Sequence, residues 1–114
     1  MVVDSSTNNK SFIAIIELRP SHIIYSGHFP GHPVTPAVIQ LQIVHELLEF
    51  HFCRKLKLIT MPLSKFLKIL DPNVTPRLVI HIEYNSTNEL LYSKTRGEND
   101  TGIFFKLNAV YQFS

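Results

Sequence analysis

Gly27-His28-Phe29-Pro30-Gly31-His32-Pro33-Val34-Thr35-Pro36-Ala37-Val38 decides how this chain reads. Each proline fixes its own φ and restricts the residue before it, so the segment gives up little entropy when it sets His28 in place. Pro36 suits the first turn of a helix, where a missing N–H costs nothing. From Pro36 to about His51, apolar residues recur at 37, 41, 44 and 48, and again at 39, 43, 47 and 50, which is a helical period. So wide an apolar surface predicts a mostly buried helix. Gln42, His45, Glu46 and Glu49 form one polar stripe along it, and Gln40 stands apart. A histidine beside a helix N-terminus places a titratable base next to backbone donors of partial positive charge. Proton abstraction next to a carbonyl requires that combination.

Outward from this segment the signals are those of strands. Residues 1–10 are polar and read as a loose terminus. Phe12 to Leu18 reads as a strand stopped at Arg19-Pro20, and His22 to Tyr25 as a short second one. After the helix, Leu56 to Thr60 and Ser64 to Leu70 read as two short strands split at Met61-Pro62. Asp71-Pro72-Asn73 reads as a turn and Arg77 to Tyr84 as an alternating strand. Asn85 to Asn88 reads as the next turn, then Leu90 to Thr95 as a strand, Arg96 to Gly102 as a polar loop, and Ile103 to Phe113 as a final strand. One apolar helix followed by about five antiparallel strands predicts an α+β fold, a sheet wrapped around one long central helix.

Length and composition narrow the function. A chain of 114 residues is expected to form a single domain, residues 1–114. With 45% apolar and 18% charged residues it reads as a folded, water-soluble protein. A net charge of +2 is too small to imply nucleic acid. No apolar run reaches membrane-spanning length and no signal-peptide core opens the chain, so no membrane partner and a cytoplasmic location are expected. The lone Cys53 allows no internal disulfide and is expected to be a buried apolar residue. Pro30 and Pro33 forbid a helical metal pair at His28 and His32, and His22 and His81 lack partners at ligand spacing, so no metal site is expected.

The run His28-Phe29-Pro30-Gly31-x-Pro33-Val34-x-Pro36-x-Val38, followed by a buried helix, resembles the FabZ and FabA type of 3-hydroxyacyl-acyl-carrier-protein dehydratase. Lys65-Phe66-Leu67-Lys68 before Asp71-Pro72 extends the likeness. The resemblance implies a hotdog fold, no cofactor, acyl carrier protein as partner, and a homodimer with active sites in tunnels between protomers; a heterodimer or hexamer is left open. It implies that His28 is the catalytic base, oriented by the Val34 carbonyl in a loop that includes Gly31. It also implies that the Ala37 N–H, where the family usually has glycine, holds the thioester oxygen. Phe29, Pro36 and Phe66 are expected along the acyl tunnel.

Gln42 departs from the family, which carries an acid there to protonate the departing hydroxyl; glutamine cannot do so. Glu46 stands one turn later, where the family commonly has glutamine. Residues i and i+4 share a helical face about 5–6 Å apart, so Glu46 is the expected acid, acting beside Gln42. Glu49 reads as part of a solvated stripe. Arg54, Lys55, Lys57, Lys65, Lys68 and Arg77 read as a basic rim suited to an acidic carrier protein. Two rivals stay open at this stage: a degenerate subunit that binds acyl chains or stabilises an active partner, and a different hotdog enzyme. The second covers a thioesterase or a dehydratase for polyene or pigment chains.

Overall fold

Strands Val2–Asn8 (β1) and Ser11–Glu17 (β2) precede the helix Ala37–Phe52 (α1). Leu56–Phe66 (β3), Arg77–Thr87 (β4), Leu90–Asn99 (β5) and Gly102–Phe113 (β6) follow it. The computed structural model describes residues 2–8, 10–19 and 34–114. His22 to Tyr25, expected as a strand, lies outside the described residues, as do His28, Phe29, Gly31 and His32. All described strands pair antiparallel in one six-stranded sheet of order β1-β2-β4-β5-β6-β3.

The period-two pattern of β4 buries Leu78, Ile80 and Ile82 on one face and turns Val79, His81 and Glu83 to the other. The helix lays Ile43, Val44, Leu47 and Leu48 against that inner face, in one core with Phe12, Ile16, Leu91, Leu107 and Tyr111. Each such side chain, once buried, contributes roughly 1.5–3 kcal/mol. Ring contacts stitch the helix to three strands: His51 stacks on Phe12 at 4.0 Å, Phe52 meets Tyr84 at 4.9 Å, and His45 meets Tyr111 edge-on at 5.3 Å. Burial lowers the His51 pKa. It pushes the Tyr111 phenol up to about 12.

Several boundaries differ from the sequence reading, each for a local reason. Residues 2–8 are not a loose terminus but a strand zipped to β2, through a turn in which Lys10 takes φ 63°. Four strands follow the helix, not five, because β3 runs unbroken through Met61-Pro62. Pro62 is tolerated there because β3 is an edge strand, and the local irregularity is absorbed by register shifts at Leu58/Thr60 and Thr60/Leu63. The stretch from Arg96 to Asn99 extends β5 and is not a loop: Gly97 lies opposite Phe105, and a Cβ there would meet the Phe105 ring. The turn after β4 sits at Asn88-Glu89, both at positive φ, two residues beyond the middle of the expected one. Cys53 is exposed, not buried, because it terminates α1 in the left-handed conformation, φ 53° and ψ 37°.

Candidate active site

Helix α1 begins without a side-chain cap. Pro36, at φ −61° and ψ 154°, precedes it, and its carbonyl accepts from Ile39 N at 3.0 Å and Gln40 N at 3.1 Å. That carbonyl therefore points along the helix, and the N–H of Ala37, trans to it across a planar peptide, points out of the helix start. No acidic side chain occupies the first turn. Among the described residues no side chain caps this positive end of the helix, which borders an open space.

That space is a cleft of about 300 Å³ lined by Val34, Pro36, Ala37, Gln40, Phe66 and Lys68, among others. Four expected site residues, Val34, Pro36, Ala37 and Phe66, meet at it although 28 residues of chain lie between Ala37 and Phe66. Two backbone bonds build the wall: Thr35 N donates to Leu70 O at 2.8 Å, and Leu67 N donates to Phe104 O at 2.8 Å. Lys68 closes one side, its Nζ donating to Thr101 O at 3.0 Å and Oγ1 at 2.8 Å.

Gln40 was set apart by the sequence pattern and given no role, yet it is one of the buried residues of the cleft, 4% exposed. Its Nε2 donates to Thr35 O at 2.9 Å, and its Oε1 has no hydrogen-bond partner among the described residues. A buried acceptor left unpaired costs about 1–3 kcal/mol. The signal was in the sequence: position 40 lies three and four residues before Ile43 and Val44, so a polar amide interrupts the core face.

Gln42 and Glu46 are brought together but not to this cleft. Gln42 Nε2 donates to Glu46 Oε1 at 3.2 Å, and both side chains are exposed, one behind the other on the helix. Glu49 is not part of a solvated stripe. It accepts from Leu56 N at 2.8 Å and lies 3.3 Å from His45 Nε2, so it ties the end of α1 to the start of β3. The Leu56 N–H and, secondarily, the His45 ring hold its carboxyl below the usual range despite partial desolvation. Of the expected basic rim, Lys68 lines the cleft, whereas Arg54 lies beyond the far end of α1 and pairs with Glu89 at 2.9 Å. His81 is engaged by Glu98 at 2.6 Å on the outer face of the sheet. A second cleft of about 340 Å³, between Pro62, Tyr84, Tyr92 and Val110, holds none of the expected site residues.

Comparison with known proteins bears on the family and the fold. A family model described as ApeI-like, for ApeI dehydratase, matches residues 4–103. The 3-hydroxyacyl-acyl-carrier-protein dehydratase FabZ of Rickettsia canadensis is 27% identical over 95 residues, covering 76% of this chain and 66% of that protein. The FabZ of Rickettsia bellii is 26% identical with the same coverage. The match spans just under two thirds of the length of these relatives. Among solved structures, the dehydratase heterocomplex ApeI:P from Xenorhabdus doucetiae aligns with a TM-score of 0.77 at 16% identity, over 98% of this chain and 96% of that one. A hypothetical thioesterase from Streptococcus pneumoniae, solved with coenzyme A, aligns at 0.70 and 9% identity, over 97% and 86%. The six-stranded antiparallel sheet around one helix is the hotdog fold.

Proposed function

The chain belongs to the ApeI-like dehydratase family, and from that premise we propose that it removes water from a 3-hydroxyacyl thioester on acyl carrier protein to give a trans-2-enoyl thioester. The observation that carries the reading is the uncapped start of α1 opening on a cleft that also holds Val34 and Phe66. In this reading His28 takes the proton from the carbon next to the thioester carbonyl. The Ala37 N–H, directed out of the helix, holds the oxygen on which negative charge builds. Glu46 gives a proton to the hydroxyl as the carbon–oxygen bond breaks, and one water leaves. The proton on His28 then returns to the carboxylate through solvent, so the cycle closes with protein groups alone.

Gln42 and Glu46 face away from the cleft of their own chain, which supports a site completed by the helix of a second copy. The β3 edge, with Leu58 44% and Ile59 48% exposed, supports the same assembly. Lys68 at the cleft supports an acidic carrier protein as the donor of substrate. No helix among the described residues is long and apolar enough to cross a membrane. A cytoplasmic location stays part of the proposal. The second reading, a non-catalytic subunit, is favoured by one observation: the family's acid position carries Gln42, whose amide is already bonded to Glu46.

One assay separates these readings. Carrier-bound 3-hydroxyacyl and enoyl thioesters are supplied to wild type, His28→Ala and Glu46→Gln, and products are followed by mass spectrometry. Reversible dehydration by wild type, with losses of about 100-fold or more in both variants, is expected. Binding without turnover by wild type would establish the non-catalytic subunit. Release of free acid would establish a thioesterase.

A further inference from the structure

We infer that Gln40 is a positioning residue: its buried side-chain amide holds the Thr35–Pro36 peptide and so, together with the Leu70 carbonyl that bonds Thr35 N, keeps the Val34 carbonyl in place at the mouth of α1. This rests on the dehydratase reading, in which that carbonyl orients His28.

Packing alone does not account for the residue. Gln40 shares the buried face of α1 with Ile43, Val44 and Leu47, where an aliphatic side chain would fill the space without stranding an acceptor. What the glutamine side chain adds is a grip on the Thr35 carbonyl. The Gln40 backbone N–H donates to Pro36 O at 3.1 Å, as any residue there would, and the side-chain Nε2 adds a bond to the preceding carbonyl, Thr35 O, at 2.9 Å.

The consequences follow from planar trans peptides. Thr35 N donates to Leu70 O at 2.8 Å, so the Val34 carbonyl, in the same peptide plane, must point away from Leu70. Turning that peptide would break the Leu70 bond, and turning the next would break the Gln40 bond. Pro36 removes most of the remaining freedom by fixing its own φ at −61°. Thr35 is thus held from both sides, 2% exposed, between Leu70 and Gln40. The Val34 carbonyl and the outward Ala37 N–H are thereby set in a fixed relation, which is what a base and an oxyanion donor acting on one substrate need.

Two variants test this. Gln40→Met keeps length and burial but cannot donate to Thr35 O. It is expected to melt close to wild type, to lower kcat by about tenfold or more with KM within about twofold, and to speed hydrogen exchange at the Thr35 amide, read by NMR, by about tenfold. Gln40→Glu donates only when protonated, so its kcat relative to wild type is expected to rise as pH is lowered. A folded Gln40→Met with wild-type kcat and wild-type Thr35 exchange overturns the proposal. Should Gln40→Met not fold, a Gln40→Glu ratio that is flat with pH overturns it; failure of both to fold does so too, because Gln40 would then be a core residue only. If wild type itself shows no turnover, the dehydratase reading fails, and Thr35 exchange in Gln40→Met alone decides the clamp: faster exchange supports it and unchanged exchange sinks it.

Discussion

Gln42 and Glu46 were legible as a pair from spacing alone, because four residues of helix put two side chains on one face, and the 3.2 Å bond between them bears out that proximity. Their direction was not legible, since it depends on which helix face the sheet covers. If the carboxylate is what matters and the two positions are within reach of the same leaving hydroxyl, the acid can be moved between them. The double exchange Gln42→Glu with Glu46→Gln is therefore expected to keep dehydration within about threefold of wild type, against a loss of about 100-fold for Glu46→Gln alone. Steady-state kcat on a carrier-bound 3-hydroxyacyl thioester measures both. A double variant as slow as the single one would show that the two positions are not interchangeable. Gln40 could be read in advance only as a polar break three and four residues before Ile43 and Val44; its bond to Thr35 O was not legible, because it depends on the path of the chain before α1.

At the scale of elements, the sequence carried the helix and the inward face of β4 because both have strict periods, 3.6 and 2. It failed where tertiary pairing overrode local chemistry. Pro62 looked like a strand break and is an edge residue, and the polar run through Arg96 became strand because β4 and β6 pair on either side of it. Glu49 belongs to the same lesson. Its stripe position suggested solvent, but the chain reverses at Cys53 and brings the Leu56 N–H to its carboxylate at 2.8 Å. Because this carboxyl's pKa lies below its ordinary 4.5 in the fold, the stability it adds is fully present above that pH and is lost as pH falls through the folded value. Glu49→Gln replaces a charged acceptor by a neutral one. It is expected to cost about 1 kcal/mol at pH 7, a difference that shrinks as pH falls below the ordinary carboxylate range and through the folded value. Urea titrations of both proteins across a series of pH values check this, and a pH-independent difference would remove the ionised carboxylate from the explanation.

At the scale of the whole molecule, one strand is half-used among the described residues. β3 pairs there with β6 on one side only, at the end of the sheet order, and it is long for an edge: eleven residues, with Leu58, Ile59 and Phe66 all more than a third exposed. An extended edge of this kind is a template for another strand, and proteins that stay monomeric usually blunt it with charge, a covering loop or a shorter strand. Lys57 and Lys65 lie towards its ends, and the middle, from Leu58 to Leu63, carries no charge. Pairing two copies through this edge would cover the exposed Leu58 and Ile59 and bring the outward face of one α1, with Gln42 and Glu46, within the assembly that holds the other's cleft. A charge placed in the middle of the strand opposes that pairing, because it would be desolvated against an uncharged neighbour. Ile59→Lys is therefore expected to leave the fold intact by circular dichroism while shifting the species seen by light scattering from twice the 13.1 kDa chain mass to the chain mass itself. Dehydration should fall with it by at least about 100-fold, since the base and the acid would be parted. A variant that is monomeric yet fully active would place the acid in the same chain as the cleft; wild type that is already monomeric would remove the second copy from the site.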